Sequence, residues 1–297
     1  MDHLRIEETP PLKDPVLITA FAGWSDAAQA ATSAAKFLTA TWDAYRFAEI
    51  DPEEFYDFTE NRPTVKLDEG NLRQITWPAN ECYYFRREGA AHDFIVLVGI
   101  EPNLRWKLYT DTILEIIRRQ KISLVLTLGA LLADVPHTRP VRVTGTTSNP
   151  NAAARLKGLA VTASKYEGPT GIVGVLHDQL RRRQIDGASI WANVPHYISA
   201  AMNPKATAAL LRRLDDLFDL GLDLRELEGA AQRFETEVSE AVAQDADASA
   251  YVRQLEERAD ADPEPEPEFR PPSQPLPSGD VVVRELEEFL RRQREGE

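Results

Sequence analysis

The residues of this chain with the types and spacing for chemistry sit in short polar segments, each following an apolar run. In Glu167-Gly168-Pro169-Thr170-Gly171, Glu167 is a candidate general base or anchoring carboxylate. The glycines and proline beside it specify turns and allow close backbone approach. In Asp134-Val135-Pro136-His137-Thr138-Arg139-Pro140, two prolines stiffen a loop that carries His137 and Arg139. A stiff loop loses little entropy on binding, and histidine moves protons near neutral pH. A structural histidine bonded to a backbone carbonyl fits the same loop equally. Val194-Pro195-His196 repeats the Val-Pro-His pattern, which makes His196 the fourth catalytic candidate.

Other residues are candidates for the wall of a ligand cleft. Gly23-Trp24-Ser25-Asp26 reads as a strand–turn–helix junction, where free amides can hold an anion. Gly23, Trp24 and Asp26 are its cleft candidates, and Asp26 as a plain helix cap is the competing reading. Glu101, Asn103, Arg105 and Trp106 place charge, a turn and an aromatic within six positions. The competing reading has Asn103 capping the next helix and Arg105 paired with Glu101. Gly168 and Thr170 complete the set, with Thr170 also placed to cap the helix that follows.

Several chemistries find no support. There is no G-x-G-x-x-G or G-x-x-x-x-G-K-[ST] motif, and Ser25, Ser148 and Ser189 lack a G-x-S-x-G context. The histidines show neither i, i+4 pairing nor H-E-x-x-H, and Cys82 is the single cysteine. No metal and no cofactor is therefore expected. Arg181-Arg182-Arg183 lacks interleaved aromatics and reads as a solvated helix face, so no nucleic-acid partner is expected.

The elements that must position these segments alternate in type. Apolar β-type runs and helical patterns follow one another, as in a mostly parallel α/β sheet. Strands are expected at 15–22, 44–50, 72–77, 81–86, 94–100, 122–132, 141–145 and 188–194, with 81–86 paired to 72–77 as a hairpin. Helices are expected at 27–40, 104–120, 149–157, 173–184 and 205–220. Asp26 with Gln29, and Asp223 with Glu226, have capping-box spacing. Leu224, Leu227, Ala231, Phe234 and Val238 form a coiled-coil-like seam suited to partner contact, and a helix near 248–259 is placed to fold back on it. The expected organisation is a core domain over 1–203, an acidic helical region over 204–260, a disordered Pro/Glu linker over 261–279 and a terminal amphipathic helix over 280–297.

Charge follows that division. Residues 1–220 carry 27 acidic and 25 basic groups, whereas 221–268 carry 15 and 4. The net charge of −14 is thus concentrated in the C-terminal region, which repels nucleic acid and anionic lipid and suits a basic partner. The N-terminal residues show no signal-peptide pattern, and the longest apolar runs fall short of the roughly 20 residues of a membrane helix. A cytoplasmic protein with no membrane contact is expected.

Gly23-Trp24-Ser25-Asp26-Ala27-Ala28 resembles the G-W-x-D-A motif near the start of proteasome assembly chaperone 2 family proteins. Glu101-Pro102-Asn103 with Trp106, Leu128-Gly129-Ala130, Pro136–Pro140, Tyr166–Gly171 and Trp191–Tyr197 look like successive motifs of its bacterial branch, in the same order. The resemblance covers about 12–230. It implies a three-layer α/β/α sandwich similar to nucleoside phosphorylases and peptidyl-tRNA hydrolases, with a C-terminal helical extension. It also implies self-association into a homo-oligomer, a protein partner and no catalytic activity that carries over. Archaeal relatives dock on proteasomes through a hydrophobic–tyrosine–any-residue tail. This chain ends Arg294-Glu295-Gly296-Glu297, so docking through the tail is not expected. The leading expectation is a chaperone-like binding or assembly protein. The alternative is a small-molecule enzyme with a phosphorylase- or hydrolase-like reaction in the strand-end cleft, which requires Glu167, His137, Arg139 and His196 to converge. A third reading has the acidic C-terminal region binding a basic partner.

Overall fold

The structure, a computed structural model, describes residues 3–67, 73–156, 167–198 and 202–261. The expected linker beyond Ala261, the expected helix at 280–297 and Tyr166 lie outside the described residues. In chain order the strands are β1 (Leu4–Ile6), β2 (Val16–Ala22), β3 (Tyr45–Ile50), β4 (Thr64–Leu67), β5 (Arg73–Thr76), β6 (Asn80–Phe85), β7 (Phe94–Ile100), β8 (Leu124–Ala133), β9 (Val143–Thr147) and β10 (Gly187–Pro195). The helices are α1 (Ala30–Thr41), α2 (Trp106–Gln120), α3 (Pro150–Arg155), α4 (Ile172–Arg182), α5 (Pro204–Phe218), α6 (Arg225–Ala243) and α7 (Ala246–Ala261).

Eight strands form one sheet in the order β1-β3-β6-β7-β2-β8-β10-β9. The central β7, β2, β8 and β10 are parallel, and antiparallel strands close both margins. β2 and β8 are buried on both faces, which is why they read as nearly unbroken apolar runs. Their alternate side chains divide between two cores. Val16, Ile18, Ala20, Leu126 and Leu128 face α1 and α5, while Leu17, Phe21 and Val125, joined by Ile95 and Leu97 of β7, face α2 and α4. The result is the expected three-layer α/β/α sandwich. Helix α5 contributes Ala206, Leu210, Leu211 and Leu214 to the first core. Its cap is Asn203, whose Oδ1 accepts from the Ala206 N–H at 3.0 Å.

Three local expectations are corrected. Segment 81–86 does not pair with 72–77: β6 lies between β3 and β7, whereas β5 pairs with β4 in a separate two-stranded hairpin. The reason is burial, since β6 has Asn80 and Cys82 fully buried while β4 and β5 are exposed throughout. Asp223 and Glu226 form no capping box, because Arg225 captures the Asp223 carboxylate through its backbone and guanidinium N–H groups. The first helix starts at Ala30, because Ala28 and Gln29 adopt left-handed backbone at φ 50° and 54°. Gln29 thus holds the N-cap position and forms no capping box with Asp26, whose carboxylate caps the helix from three residues upstream. One carboxylate oxygen accepts from the N–H groups of Ala31 (2.8 Å) and Thr32 (3.1 Å), and the other from the Thr32 hydroxyl. Burial raises the Asp26 pKa while these bonds oppose the rise. Asp26→Ala is expected to lower stability by about 2 kcal/mol, through a lost cap and an orphaned hydroxyl. Urea unfolding checks this, and a change below a few tenths would refute the cap's role.

The 224–238 seam is occupied within the chain. Leu224 joins the core beneath α5, and Phe234 and Val238 pack with Ala248, Val252 and Leu255 of α7 and with Tyr197 and Ile198. Helix α7 therefore folds back on α6 as expected. Among the described residues no helix is long and apolar enough to cross a membrane.

Candidate functional site

Neighbouring strands β2 and β7 send their chains to opposite faces of the sheet, β2 into α1 and β7 into α2. Their carboxyl ends therefore diverge, and such a switch point is where open α/β sheets bind ligands. Glu101, the first residue beyond β7, fills this position. Its Oε1 accepts from the Ile172 N–H at the first turn of α4 (2.7 Å), and its Oε2 from the Trp24 N–H (3.3 Å). A helix N-terminus favours negative charge, and here the chain supplies its own carboxylate. Two glycines make room for it. Gly23 has φ +122°, and a Cβ on Gly171 would lie 2.6 Å from Glu101 Oε1. The Trp24 turn is tied in turn to β8, whose Ala130 N–H donates to the Ser25 carbonyl at 2.9 Å.

The other cleft candidates divide. Asn103 does not cap α2, since its Oδ1 accepts from the Asp57 N–H (3.1 Å) and the Asn61 side chain (2.7 Å), which pins the 55–61 loop. Arg105 pairs with Glu54 and not with Glu101. The Trp106 indole N–H donates to the Pro102 carbonyl, which closes the turn. Thr170 does not cap α4; its hydroxyl lies over Gly174, and Glu101 is the cap. Gly168 is exposed in the preceding loop. Trp24 projects from the rim at 64% exposure, and Leu104 and Leu132 are exposed at the same end of the sheet.

The catalytic candidates lie in a second cluster, except Glu167. The Tyr197 hydroxyl accepts from the His137 N–H (2.8 Å), so its own proton points to His137 Nδ1 (2.7 Å). That bond leaves the Nε2 proton to donate to Ser239 Oγ on α6 (3.0 Å), and Ser239 donates to the Glu235 carbonyl (2.7 Å). Burial first, and then the Lys205 charge, push the His137 pKa down to about 4. The Lys205 ammonium itself bonds the His137 carbonyl (2.6 Å) and pairs with Glu235. Thr138 donates to Glu256 of α7, and Arg139 holds Asp260 with two parallel bonds of 2.9 and 2.8 Å. His196 stands edge-on to Tyr197 and Tyr251, and its Nδ1 is 3.3 Å from Asp134 without hydrogen-bond alignment. Loop 134–139 thus binds α6 and α7 to the body. Glu167 is exposed before α4, and no hydrogen bond or ion pair among the described residues joins it to His137, Arg139 or His196. No group of three or more His, Cys, Asp or Glu among the described residues is placed to hold a metal ion.

The PAC2 family profile matches residues 20–242, three quarters of the chain and all of the strand-end site. The chain belongs to the PAC2 family. A PAC2 family protein of Streptomyces avermitilis is 42% identical, with 80% of this chain and 100% of that one covered at a TM-score of 0.73. The proteasome-assembly chaperone homologue of Mycobacterium tuberculosis is also 42% identical, covering 80% of this chain and 99% of its own at a TM-score of 0.71. The Pyrococcus furiosus archaeal proteasome activator is 18% identical at a TM-score of 0.64, which is likeness of fold alone. No curated protein matches the chain. The PAC2 match stops before α7, so Glu256 and Asp260, the partners of Arg139, lie beyond it.

Beneath the PAC2 strand-end site lies a buried polar network that sequence reasoning missed. Asn80 Oδ1 accepts from the Tyr109 hydroxyl (2.7 Å) and the Ile100 N–H (3.1 Å), and its amide donates to Tyr56. Tyr56 in turn donates to the Ile100 carbonyl. Burial pushes the Tyr56 pKa up to about 12, so the network stays neutral. Its effect is to fix the end of β7 from which Glu101 emerges. The available signal was an asparagine at the head of an apolar strand, where an unpaired amide would be costly.

Proposed function

We propose that this PAC2 protein is a chaperone-like binding or assembly protein that holds a protein partner on the strand-end surface around Trp24 and performs no catalytic turnover there. The observation that carries the reading is the use made of Glu101: its carboxylate fills the anion position at the switch point, and Trp24 is thereby held outward. His137 and Arg139, the groups most suited to chemistry, bond α6 and α7. The 42% identity to a proteasome-assembly chaperone homologue supports assembly as the class of function. The protein acts in the cytoplasm and associates with copies of itself.

The test is crosslinking and co-purification from native cells with the wild-type chain and Trp24→Ala. An exposed tryptophan that anchors an interface is worth about 2 kcal/mol or more. Recovery of the partner is therefore expected to fall at least about tenfold, while thermal unfolding of the variant stays unchanged. Equal recovery by both chains would refute the role of Trp24, and recovery of the bare chain alone would refute the reading.

A further inference from the structure

Leu104 follows β7, Trp24 follows β2 and Leu132 lies near the end of β8. These three parallel strands are neighbours in the sheet, so the three side chains form a row along its carboxyl edge. All three are exposed, Leu104 and Leu132 at 51% and 47%. Apolar side chains gathered in one exposed row mark an interaction surface. One end of the row is also where the described chain leaves the body. Arg139, in the loop after β8, holds Asp260 with two parallel bonds, so α7 ends at Ala261 on this same edge. Beyond Ala261 the sequence is polar and proline-rich through Asp280, apart from Phe269 and Leu276, and its apolar residues then gather in 281–290. Val282, Leu286, Phe289 and Leu290 recur there at helical spacing. The three arginines and three glutamates of 284–292 cancel, unlike the acidic excess of 221–268. An amphipathic segment this short is marginal as a helix in water unless its apolar side is covered.

We propose that segment 281–290 of the same chain lies as an amphipathic helix over Leu132, Trp24 and Leu104, and covers the partner surface until a partner displaces it. The proposal rests on the partner reading of Trp24 above and gives that surface a built-in competitor. The lengths fit. A proline-rich stretch such as 262–280 reaches up to about 60 Å, whereas β8 and β7 stand only about 10 Å apart. Ten helical residues span about 15 Å, enough to cover the row from Leu132 to Leu104. The tether also sets the strength. A segment held on a short linker acts at roughly millimolar effective concentration, so a weak apolar contact is enough to cover the row. A partner that buries the same side chains more fully then displaces it, since two occupants of one surface exclude each other. The neutral charge of 284–292 lets the segment approach without repulsion from the acidic helices α6 and α7 beside the exit point.

The test is hydrogen exchange on the full chain at low and high concentration, for the wild type, Trp24→Ala/Leu132→Ser and Leu286→Glu/Phe289→Glu. Amides of 282–290 are expected to exchange at least about tenfold more slowly in the wild type than in either variant, at every concentration. Open-chain exchange of 282–290 in the wild type overturns the proposal. Protection that survives Trp24→Ala/Leu132→Ser puts the segment elsewhere and overturns it too, and protection that grows with concentration assigns the contact to another copy and does the same. If the Trp24 variant misfolds, hydroxyl-radical labelling of Trp24 decides. Labelling should be faster in Leu286→Glu/Phe289→Glu than in the wild type, and equal rates overturn the proposal. In co-purification the same tail variant is expected to recover at least about threefold more partner, and unchanged recovery overturns displacement. Exchange and labelling are read without a partner, so they fail or succeed independently of the partner reading, which recovery by Trp24→Ala decides.

Discussion

Acidification through the window from pH 6.5 to about 4 is expected to remove about 3 kcal/mol of folding stability through His137 alone. The folded pKa of about 4 lies below the unfolded value of 6.5, so the unfolded chain takes the proton first. Stability is therefore full above 6.5, falls as the pH drops, and levels off below the folded pKa. The depression has a geometric origin. Nδ1 already accepts the Tyr197 proton, burial removes water, and Lys205 repels a second positive charge, while Glu235 and Glu256 only partly compensate. His177, whose Nε2 lies 2.9 Å from the Thr127 hydroxyl beneath α4, is pushed down to about 4 by burial and adds a loss of the same sign. Glu115 and Asp223 are held at about 2 by neighbouring arginines, but they lie in solvent, where screening makes such pairs minor. Urea unfolding across this pH window measures the slope, and His137→Gln should flatten it by the His137 share. Because Nε2 binds Ser239, hydrogen exchange along α6 should rise first. A stability that does not change across the window would contradict the buried, neutral assignment.

The second large effect concerns the strand-end site. Glu101→Ala is expected to cost about 3 kcal/mol, since hydrogen bonds to a charged group contribute about 1.5–3 kcal/mol each and the 3.3 Å bond to Trp24 falls at the low end. Glu101→Gln keeps an acceptor for Ile172 and loses the charge at the helix start, so about 1 kcal/mol is expected. Hydrogen exchange at the Trp24 and Ile172 amides reports the two bonds separately. Faster exchange at both in the alanine variant, with partner recovery reduced as for Trp24→Ala, is the expected result. Unchanged exchange would mean that Glu101 does not hold the site together.

Much of this architecture is written locally. The apolar runs of β2, β7, β8 and β10, the 3.6-residue period of α2 and the Asn203-Pro204 helix start are all short-range patterns, each set within a few residues by side-chain alternation or capping. The motif order that resembles the family is likewise a linear property, and it placed Glu101, Trp24 and Asp26 at strand ends where the structure has them. The boundary of α1 was not legible, because the left-handed turn at Ala28 and Gln29 shows no glycine to announce it.

What only the tertiary structure decided is the partner of each polar group. Glu101 fits either a cleft wall or a surface pair with Arg105 when only its neighbours in sequence are considered, yet it caps a helix that begins 71 residues later, because the sheet brings β7 and α4 to one crevice. The loop of His137 and Arg139 leaves chemistry and a structural role equally open, and the structure has them binding α6 and α7 across separations of 102 and 121 residues. Whether β6 pairs with β5 or with β7 was settled by burial of Asn80 and Cys82 in the main sheet. Residue types and spacing show which groups are able to bond. Which of them meet depends on long-range closure of the sheet, and that carries no mark in any one segment.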